Sequence, residues 1–323
     1  MENLGLTNNI SIDFWRNKTV LITGHTGFKG SWLALWLHCL GSNVVGYSKL
    51  PPTEINHYSL IKLEKLFPSI IADIRDLDNL KKAVKDYKPE IVFHLAAQSL
   101  VRPSYLDPIE TYSTNVLGTV NLFEALRANN YTKVIINITS DKCYENKEWI
   151  WGYRENEPMG GADPYSSSKG CAELITQCYQ QSYFTKTSST VLASARAGNV
   201  IGGGDWAEER LVPDIMRAFM SKISVAIRSP KAIRPWQHVL EPLAGYLQLA
   251  QALYQHQHNF ASGWNFGPNA DDAKEVSYIV EKIANLWGDQ AEWKIEEDKK
   301  NLKEANFLRL DCSKAKTVLG WQA

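Results

Sequence analysis

The sequence contains no pattern of a zinc site, a disulfide framework or a membrane span. Its five cysteines include no C-x-x-C pair, and no histidine stands at zinc-ligand spacing from them. The N-terminus lacks the charged and then apolar pattern of a signal peptide, and no run reaches ~18 uninterrupted apolar residues. We therefore expect a soluble, cytoplasmic protein with reduced thiols, without a bound metal and without attachment to a membrane.

An excess of charge of one sign is also missing. The chain has 35 Lys and Arg residues against 35 Asp and Glu residues, so no net field attracts it to nucleic acid or to an anionic membrane. Its 323 residues exceed the ~250 to 300 residues beyond which one hydrophobic core usually divides. The length therefore predicts one large and one smaller domain.

Short apolar runs alternate with helical patterns along the first two thirds of the chain. The runs are KTVLIT (18–23), NVVGY (43–47), SIIAD (69–73), EIVFHLAA (90–97), KVIINIT (133–139) and TVLASARA (190–197), and the helical patterns lie near 29–41, 77–87, 108–129 and 164–184. This alternation predicts an α/β fold with a Rossmann-type doubly wound parallel sheet. We assign the sheet to residues 1–190 and a smaller, mixed substrate-binding domain to 191–323, where strands become rarer.

A glycine-rich turn follows the first predicted strand and precedes a helical pattern. Its sequence, Gly24-His-Thr-Gly27-Phe-Lys-Gly30, lets the backbone turn tightly and approach a pyrophosphate at the start of a helix. We therefore predict that Gly24, Thr26, Gly27, Phe28 and Gly30 bind a dinucleotide. A glycine-rich turn without a ligand is the alternative.

The second predicted strand ends without the acidic residue that often bonds the cofactor ribose. Ser48 and Lys49 stand there instead and would tolerate a phosphate, so NAD and NADP both stay open at this point. Asp73, at the end of the third strand, is placed to approach the adenine edge. A loop cap or an exposed charge explains Asp73 equally well.

Tyr165 and Lys169 are four residues apart in a helix that begins at Asp163-Pro164, so both project from one face. A phenol with a pKa of ~10 is a poor base near neutrality, and a shift to neutrality takes about 4 kcal/mol of stabilisation of the anion. Lys169 and a cationic oxidised nicotinamide would supply it. A chance Y-x-x-x-K on a surface helix is the alternative.

These motifs occur in an order that resembles a known family. TGHTGFKG, HLAAQ (94–98), STNVLGT (113–119), TSDKCY (139–144) and YSSSK (165–169) are similar to stretches of extended short-chain dehydrogenase/reductases that act on nucleotide sugars. The resemblance implies NAD as the cofactor. It also implies that further contacts with the cofactor come from Ile74, Leu95, Ala96, Ala97 and Asn115.

The end of the fifth strand distinguishes branches of this family. Epimerases have Ser or Thr there without an adjacent acid, whereas sugar 4,6-dehydratases have Thr-Asp-Glu, and here Ser140-Asp141 is followed by Lys142 in place of the glutamate. With ENKEWIWGYRENE (145–157), RAGNVIGGGDW (196–206) and IRPWQHVLEP (233–242), this replacement resembles the CDP-glucose 4,6-dehydratases of bacterial deoxysugar synthesis. The implied substrate is CDP-glucose.

The resemblance implies a role for each catalytic group. Tyr165 removes the O4 proton as hydride leaves C4, Ser140 holds O4, and Lys169 holds the nicotinamide ribose. Asp141 helps water to leave C6. Lys142 either stabilises the enolate or is itself the base at C5. A salt bridge between Asp141 and Lys142 that caps the strand is the alternative explanation.

Several residues lie where relatives bind the sugar, the diphosphate or the base of the substrate, and guanidinium groups suit a diphosphate. These predicted substrate-binding residues are Gln98, Arg102, Asn199, Arg210, Leu211, Arg234, Trp236 and His238. Alternatively, some of the arginines only pair with acidic neighbours such as Glu208 and Glu209.

Other functions and assemblies stay open on the sequence. An epimerase, a dehydratase for another nucleotide-glucose and a non-catalytic NAD-binding regulator are the alternatives. The resemblance implies a homodimer or homotetramer that pairs through the helices at 108–129 and 164–184. The final stretch, LDCSKAKTVLGWQA, is similar to a signature that relatives follow with more chain, so we expect a truncated C-terminus.

Overall fold

The predicted alternation of strands and helices folds as a parallel sheet with helices on both faces. The computed structural model describes residues 10–269, 272–289, 291–296 and 307–323, and the other positions of the predicted substrate domain lie outside the described residues. The strands are β1 Thr19–Thr23, β2 Asn43–Ser48, β3 Ser69–Ile71, β4 Ile91–His94, β5 Val134–Ile138, β6 Val191–Ala197, β7 Val200–Ile201, β8 Val225–Ile227, β9 Ile233–Pro235, β10 Gln237–His238, β11 Gly263–Phe266, β12 Ala273–Glu275 and β13 Trp293–Ile295.

Several of the helices begin at capping signals that the sequence contains. Asp76, Asp107 and Asp163 each accept a hydrogen bond from a backbone N–H in the first turn, and Pro108 and Pro164 follow two of them. The helices are α1 Ile12–Trp15, α2 Phe28–Cys39, α3 His57–Leu60, α4 Leu77–Tyr87, α5 Val101–Leu106, α6 Pro108–Tyr112, α7 Gly118–Arg127, α8 Pro164–Ser182, α9 Leu211–Met220, α10 Leu240–His256 and α11 Val276–Trp287, with a π-helical turn at Ser113–Leu117 between α6 and α7.

The main sheet has seven strands in the order β3-β2-β1-β4-β5-β6-β11, and every neighbouring pair is parallel. The predicted α/β class and the six predicted strands are confirmed. The strand predicted at 90–97 ends at His94, and the three residues after it leave the sheet. β6 and β11 lie after residue 190 and still belong to the sheet, so the division into 1–190 and 191–323 stays a prediction.

Alternate side chains of each strand enter two cores. Val20 and Ile22 pack with α2 and α10 on one face of the sheet, whereas Leu21 packs with α4 and α7 on the other. A smaller core joins α9, β8 and α11 around residues such as Phe219 and Val280. In the ranges that the structure describes, no helix combines the length and apolar character needed to cross a membrane.

Candidate active site

A cavity of about 1290 Å³ opens at the carboxyl ends of β1, β4, β5 and β6. Ligand pockets are commonly ~300 to 1,000 Å³, so this one has room for a dinucleotide and a second ligand. The predicted site residues that line it are Gly24, Thr26, Gly27, Phe28, Gly30, Asp73, Ile74, Leu95, Ala96, Ala97, Gln98, Arg102, Ser140, Asp141, Lys142, Tyr165, Lys169, Asn199, Arg210, Leu211, Arg234 and Trp236.

The structure does not bring Asn115 or His238 to this cavity. Asn115 is buried behind the wall, where its amide bonds both backbone groups of Gln98 at 2.8 and 2.9 Å and holds the loop after β4. His238 is exposed, and its Nδ1 accepts the Leu240 N–H. Asn115 therefore supports a loop that lines the cavity, and a direct contact of either residue with a ligand has no support in the geometry.

The glycine turn has the shape and the free donors that a pyrophosphate needs. Gly24 has a φ of 78°, and a Cβ on it would lie 2.7 Å from the backbone of Leu95 and Ala96. Gly27 precedes α2 as its N-cap and provides no side-chain cap, and the first turn of α2 carries no acidic residue. Its N-terminal N–H groups and positive dipole end therefore face the cavity ready for an anion.

A four-residue ionic network stands where the cofactor ribose is expected. Asp73 accepts from Arg75 at 2.6 Å and pairs with Lys49 at 3.1 Å, and Glu110 pairs with Lys49 at 3.0 Å and with Arg75. Arg75 and Lys49 hold the pKa of Asp73 well below its usual range despite partial burial. Because both cations already bind two carboxylates, a 2′-phosphate would have to break existing pairs, which favours NAD over NADP.

The turn after β5 presents Ser140 and Asp141 to the cavity. The Ser140 hydroxyl donates to Asp141 Oδ1 at 2.9 Å and accepts the Lys142 N–H at 3.2 Å. Asp141 is 3% exposed, and its Oδ2 has no hydrogen-bond partner. Burial raises its pKa, although the charges of Lys142 and Arg234 oppose this. The carboxyl group is thus suited to hold a proton and donate it.

The alternative of a strand-capping salt bridge finds no support at this turn. Among the described ion pairs, none joins Asp141 to Lys142. A Cβ at Gly198 would lie 2.9 Å from Asp141 Oδ2, so the opposite wall leaves just enough space for the carboxyl group.

Tyr165 and Lys169 are both buried and line the cavity from α8, whose start is held by the bond from the Tyr165 N–H to Ser104 Oγ at 3.1 Å. Burial raises the pKa of Tyr165 to about 12, although a hydrogen bond with Ser140 opposes this. Burial lowers the pKa of Lys169 to about 8. The protein alone therefore keeps the phenol protonated, and a further positive charge, such as an oxidised nicotinamide, is needed to make it a base.

Behind these groups lies a buried ion pair that the sequence did not predict. Arg196 donates to Glu173 at 2.7 Å, and both side chains are at most 5% exposed. Thr139 and Ser194 also donate to Glu173, and Arg196 donates to the Tyr144 hydroxyl at 2.6 Å. Through Thr139 the pair fixes the carboxyl end of β5. The sequence contains one indication of this pair: Glu173 stands four residues after Lys169 on α8, so the two side chains share a helix face.

Two of the predicted substrate-binding arginines already have acidic partners. Arg210 donates to Asp205 at 2.8 Å, and Arg102 lies 3.3 Å from Glu209. This agrees with the alternative that some arginines pair with acidic neighbours. Both still line the cavity, so their contact with a diphosphate remains a prediction that requires an exchange of partners.

Comparison with known proteins identifies the family. Residues 21–323 match the family model described as GDP-mannose 4,6 dehydratase. Over 316 residues the chain is 55% identical to CDP-glucose 4,6-dehydratase of Salmonella typhimurium strain LT2, which covers 97% of this chain and 88% of that protein.

Solved structures share the fold at low sequence identity. The epimerase Mth375 of Methanothermobacter thermautotrophicus superposes with a TM-score of 0.82 at 20% identity, over 96% of this chain and 89% of that one. The dTDP-glucose 4,6-dehydratase of Bacillus anthracis in complex with NAD gives 0.77 at 20%, over 94% and 91%. The chain therefore belongs to the GDP-mannose 4,6 dehydratase family, in the nucleotide-sugar branch of the short-chain dehydrogenase/reductases.

Proposed function

We propose that this protein is an NAD-dependent hydro-lyase that converts CDP-glucose into CDP-4-dehydro-6-deoxyglucose and water. The observation that carries the proposal is the buried Asp141 carboxyl group in one cavity with Tyr165 and Lys169. An epimerase needs the tyrosine and the lysine but no acid for a leaving hydroxyl. The 55% identity to a CDP-glucose 4,6-dehydratase supports the choice of cytidine.

The residues present fit an NAD molecule. The glycine turn would hold its pyrophosphate, and Lys169 its nicotinamide ribose. When bound, NAD accepts a hydride from the sugar and later returns it, so no net redox change is left behind. The pairing of Lys49 with Asp73 and Glu110 supports NAD as the form that binds.

The chain's own residues then move protons in two places. Tyr165 takes the proton from the sugar O4 while the adjacent Ser140 hydroxyl holds that oxygen. The resulting C4 ketone acidifies the hydrogen at C5, where Lys142 either accepts the proton or stabilises the enolate by its charge. Asp141 donates its proton to the C6 hydroxyl, which leaves as water.

The direct test is product analysis with purified full-length chain. CDP-glucose should lose 18 mass units, the mass of one water, and give the NMR spectrum of a 6-deoxy-4-ketosugar. Parallel reactions with dTDP-glucose and GDP-glucose test the base. A product of unchanged mass with inverted C4 would show an epimerase instead, and faster turnover of another nucleotide-glucose would reassign the substrate.

Replacement of Lys142 by methionine is expected to leave hydride removal from C4 detectable and to suppress entry of solvent deuterium at C5. We expect suppression of about 10²-fold, the usual contribution of one general base. Lys142→Arg is the matched control. It keeps the charge but cannot lose a proton near neutrality, so recovery of exchange in Lys142→Arg identifies enolate stabilisation, and no recovery identifies a base. Undiminished deuterium entry in Lys142→Met would exclude both roles.

We also propose that the chain forms a homodimer through the face made by α6, the π-helical turn and α8. An apolar groove on this face is lined by Pro108, Ile109, Tyr112, Ser113, Val116, Leu117 and Cys171. Ile109 and Leu117 are 80% and 59% exposed in the single chain, which is unfavourable for side chains of this type unless a second copy covers them. A homotetramer would use this contact and a further one.

The dimer should dissociate when a charge enters the groove. Leu117→Arg is expected to halve the molar mass from sedimentation equilibrium at micromolar concentration, because the guanidinium would have to be desolvated between two apolar faces. Leu286→Arg on α11, where Leu286 is 79% exposed, is the control that should leave the mass unchanged. A monomeric wild-type chain, or a Leu117→Arg dimer, would refute this interface.

A cytoplasmic location is part of the same proposal. All five cysteines are free, and two of them, Cys143 and Cys312, are buried. Free thiols are typical of a reducing compartment.

A further inference from the structure

Glu209 bridges two arginines inside the cavity. Its Oε2 lies 3.3 Å from Arg102 Nε and 2.8 Å from Arg228 Nη2. Arg102 belongs to α5, whereas Arg228 directly follows β8, so one carboxylate joins α5 to the smaller core around α9, β8 and α11. All three side chains line the cavity. The reaction proposed above does not use this carboxylate.

The backbone of Glu209 adopts a conformation that a glutamate seldom takes. Its φ is 61°, in the left-handed region that disfavours an L side chain. The chain just before this turn is held in place, because Arg217 donates to the carbonyl oxygens of Trp206 and Ala207 at 2.7 and 3.3 Å. The contacts of Glu209 with two guanidinium groups offset the strain of the turn. When the carboxylate leaves those groups, the turn can relax.

The partners of Glu209 are groups that a diphosphate would also bind. A guanidinium group binds a carboxylate and a phosphate through the same forked donors. The Arg102 side chain is only 12% exposed, and a largely buried cation needs an anionic partner. Arg210, the other predicted diphosphate ligand with an acidic partner, is the next residue in the chain and lines the same cavity. A diphosphate that binds Arg102 must therefore take it from Glu209.

We propose that the Glu209 carboxylate is an internal competitor of the substrate diphosphate, which pairs with Arg102 and Arg228 between turnovers and is displaced when the nucleotide sugar binds. This inference rests on the proposed function, which requires a nucleoside diphosphate in this cavity. A ligand must first separate Glu209 from the arginines, so its apparent affinity is reduced by the fraction of chains in which that pairing is broken. Substrate and product carry the same diphosphate. The return of Glu209 to the arginines therefore also helps the product to leave.

A carboxylate that only positions the arginines would behave in the opposite way. If Glu209 holds Arg102 and Arg228 in the orientation that binds a diphosphate, its removal lets both side chains move, and the ligand binds more weakly. If Glu209 competes with the diphosphate, its removal makes the ligand bind more tightly. The sign of the change in affinity therefore distinguishes the two roles.

The experiment is isothermal titration calorimetry of the full chain with CDP, which carries the diphosphate and the base without the reacting sugar. In Glu209→Gln the dissociation constant should fall about five- to tenfold, because two partly exposed ion pairs no longer compete with the ligand. Glu209→Asn, which removes the carboxylate with a residue that accepts a positive φ, should bind equally tightly. Glu208→Gln makes the same change of net charge at the exposed neighbour. This matched control should stay within about twofold of wild type, because solvent screens a general repulsion.

Steady-state kinetics with CDP-glucose provides a second measurement. The KM of Glu209→Gln should fall by a factor similar to that of the CDP dissociation constant. Its kcat should not rise, because the product leaves more slowly when Glu209 no longer competes for the arginines.

Three results overturn this role of Glu209. Weaker binding of CDP in Glu209→Gln assigns the carboxylate to positioning of the arginines, and an unchanged dissociation constant shows that it has no influence on the ligand. An equal gain in Glu208→Gln shows that only the overall charge matters. If the wild-type chain binds no nucleoside diphosphate, the proposed function fails and this inference with it, whereas wild-type binding without a gain in Glu209→Gln overturns only the inference.

Discussion

Asp141→Asn is expected to lower formation of the 6-deoxy-4-ketosugar about 10²- to 10³-fold, the usual contribution of a general acid. Removal of hydride from C4 should continue, since it depends on Tyr165 and Lys169. Asparagine has the shape of the aspartic acid and can still accept the Ser140 hydrogen bond, but it has no proton to give to the departing hydroxyl. Single-turnover absorbance at 340 nm should therefore show reduced nicotinamide that forms and then persists.

The pH dependence follows from the sign of the shift at Asp141. Burial raises the pKa of this carboxyl group, so its acid form persists above the ordinary carboxyl range, and elimination should slow as pH rises through the raised value. Ionisation is less favourable in the folded chain than in the unfolded chain. Above the unfolded pKa this destabilises the fold, so Asp141→Asn should have an unchanged or higher melting temperature at neutral pH.

Tyr165→Phe is the companion variant for this test. It should stop hydride removal and elimination together, because both need the O4 proton to leave first. A lost general acid should leave far less than about a third of wild-type turnover. If Asp141→Asn keeps more than that, Asp141 is not part of the mechanism, and the epimerase alternative is open again.

The sheet could be predicted because its strands are almost wholly apolar and alternate along the sequence with helical patterns, several of which begin at a capping residue. β5 is five residues long, all of them buried, so a parallel strand was the natural interpretation. Leu95, Ala96 and Ala97 continue the run after β4 but leave the sheet to line the cavity, which composition cannot reveal. β11 was not predicted, since GWNF is short and mixed and becomes a strand only because β6 supplies the edge on which it pairs.

The meeting of Asp141, Tyr165 and Lys169 in one cavity could be predicted because Asp141 directly follows a predicted strand, and Tyr165 and Lys169 share one face of a predicted helix. Their catalytic roles stay a prediction.

Glu173 and Arg196 could not be predicted, because charged residues in a helix or strand pattern usually face solvent, and their partnership depends on how α8 packs on β6. Lys29, in the first turn of α2, occupies a helical position that any residue can fill, and its ammonium donates to the Tyr246 hydroxyl at 3.0 Å. Its partner Tyr246 lies 217 positions away, so only the packing of α10 against α2 shows what the lysine faces.

Arg196→Met is expected to cost about 3 to 5 kcal/mol of unfolding free energy, since removal of one partner leaves a buried charge uncompensated. Glu173 would keep only the hydroxyl donors of Thr139 and Ser194. Burial alone would raise the pKa of Glu173, yet its pKa is lowered because the Arg196 guanidinium and these hydroxyls outweigh burial. Urea denaturation followed by circular dichroism measures the loss.

The loss of unfolding free energy in Arg196→Met should become smaller as the pH falls. A carboxyl group with a depressed folded pKa contributes stability above its unfolded pKa and loses it as pH falls through the folded value. In Arg196→Met the pKa of Glu173 should rise instead, so the buried group can become neutral by taking a proton. The deficit relative to wild type should therefore be largest near neutral pH and smaller toward about pH 5, just above the ordinary carboxyl range.

Arg127→Met is the matched control, because Arg127 pairs with Glu124 on the surface at 2.8 Å and is 44% exposed. It should cost far less unfolding free energy than Arg196→Met, because solvent screens an exposed ion pair. A deficit in Arg196→Met as small as that of Arg127→Met would mean that the buried pair contributes no more than a surface pair. With the expected deficit, the double variant Arg196→Met with Glu173→Leu should recover stability, since it removes both buried charges. It should not recover activity, because Thr139 would have no acceptor to hold the end of β5.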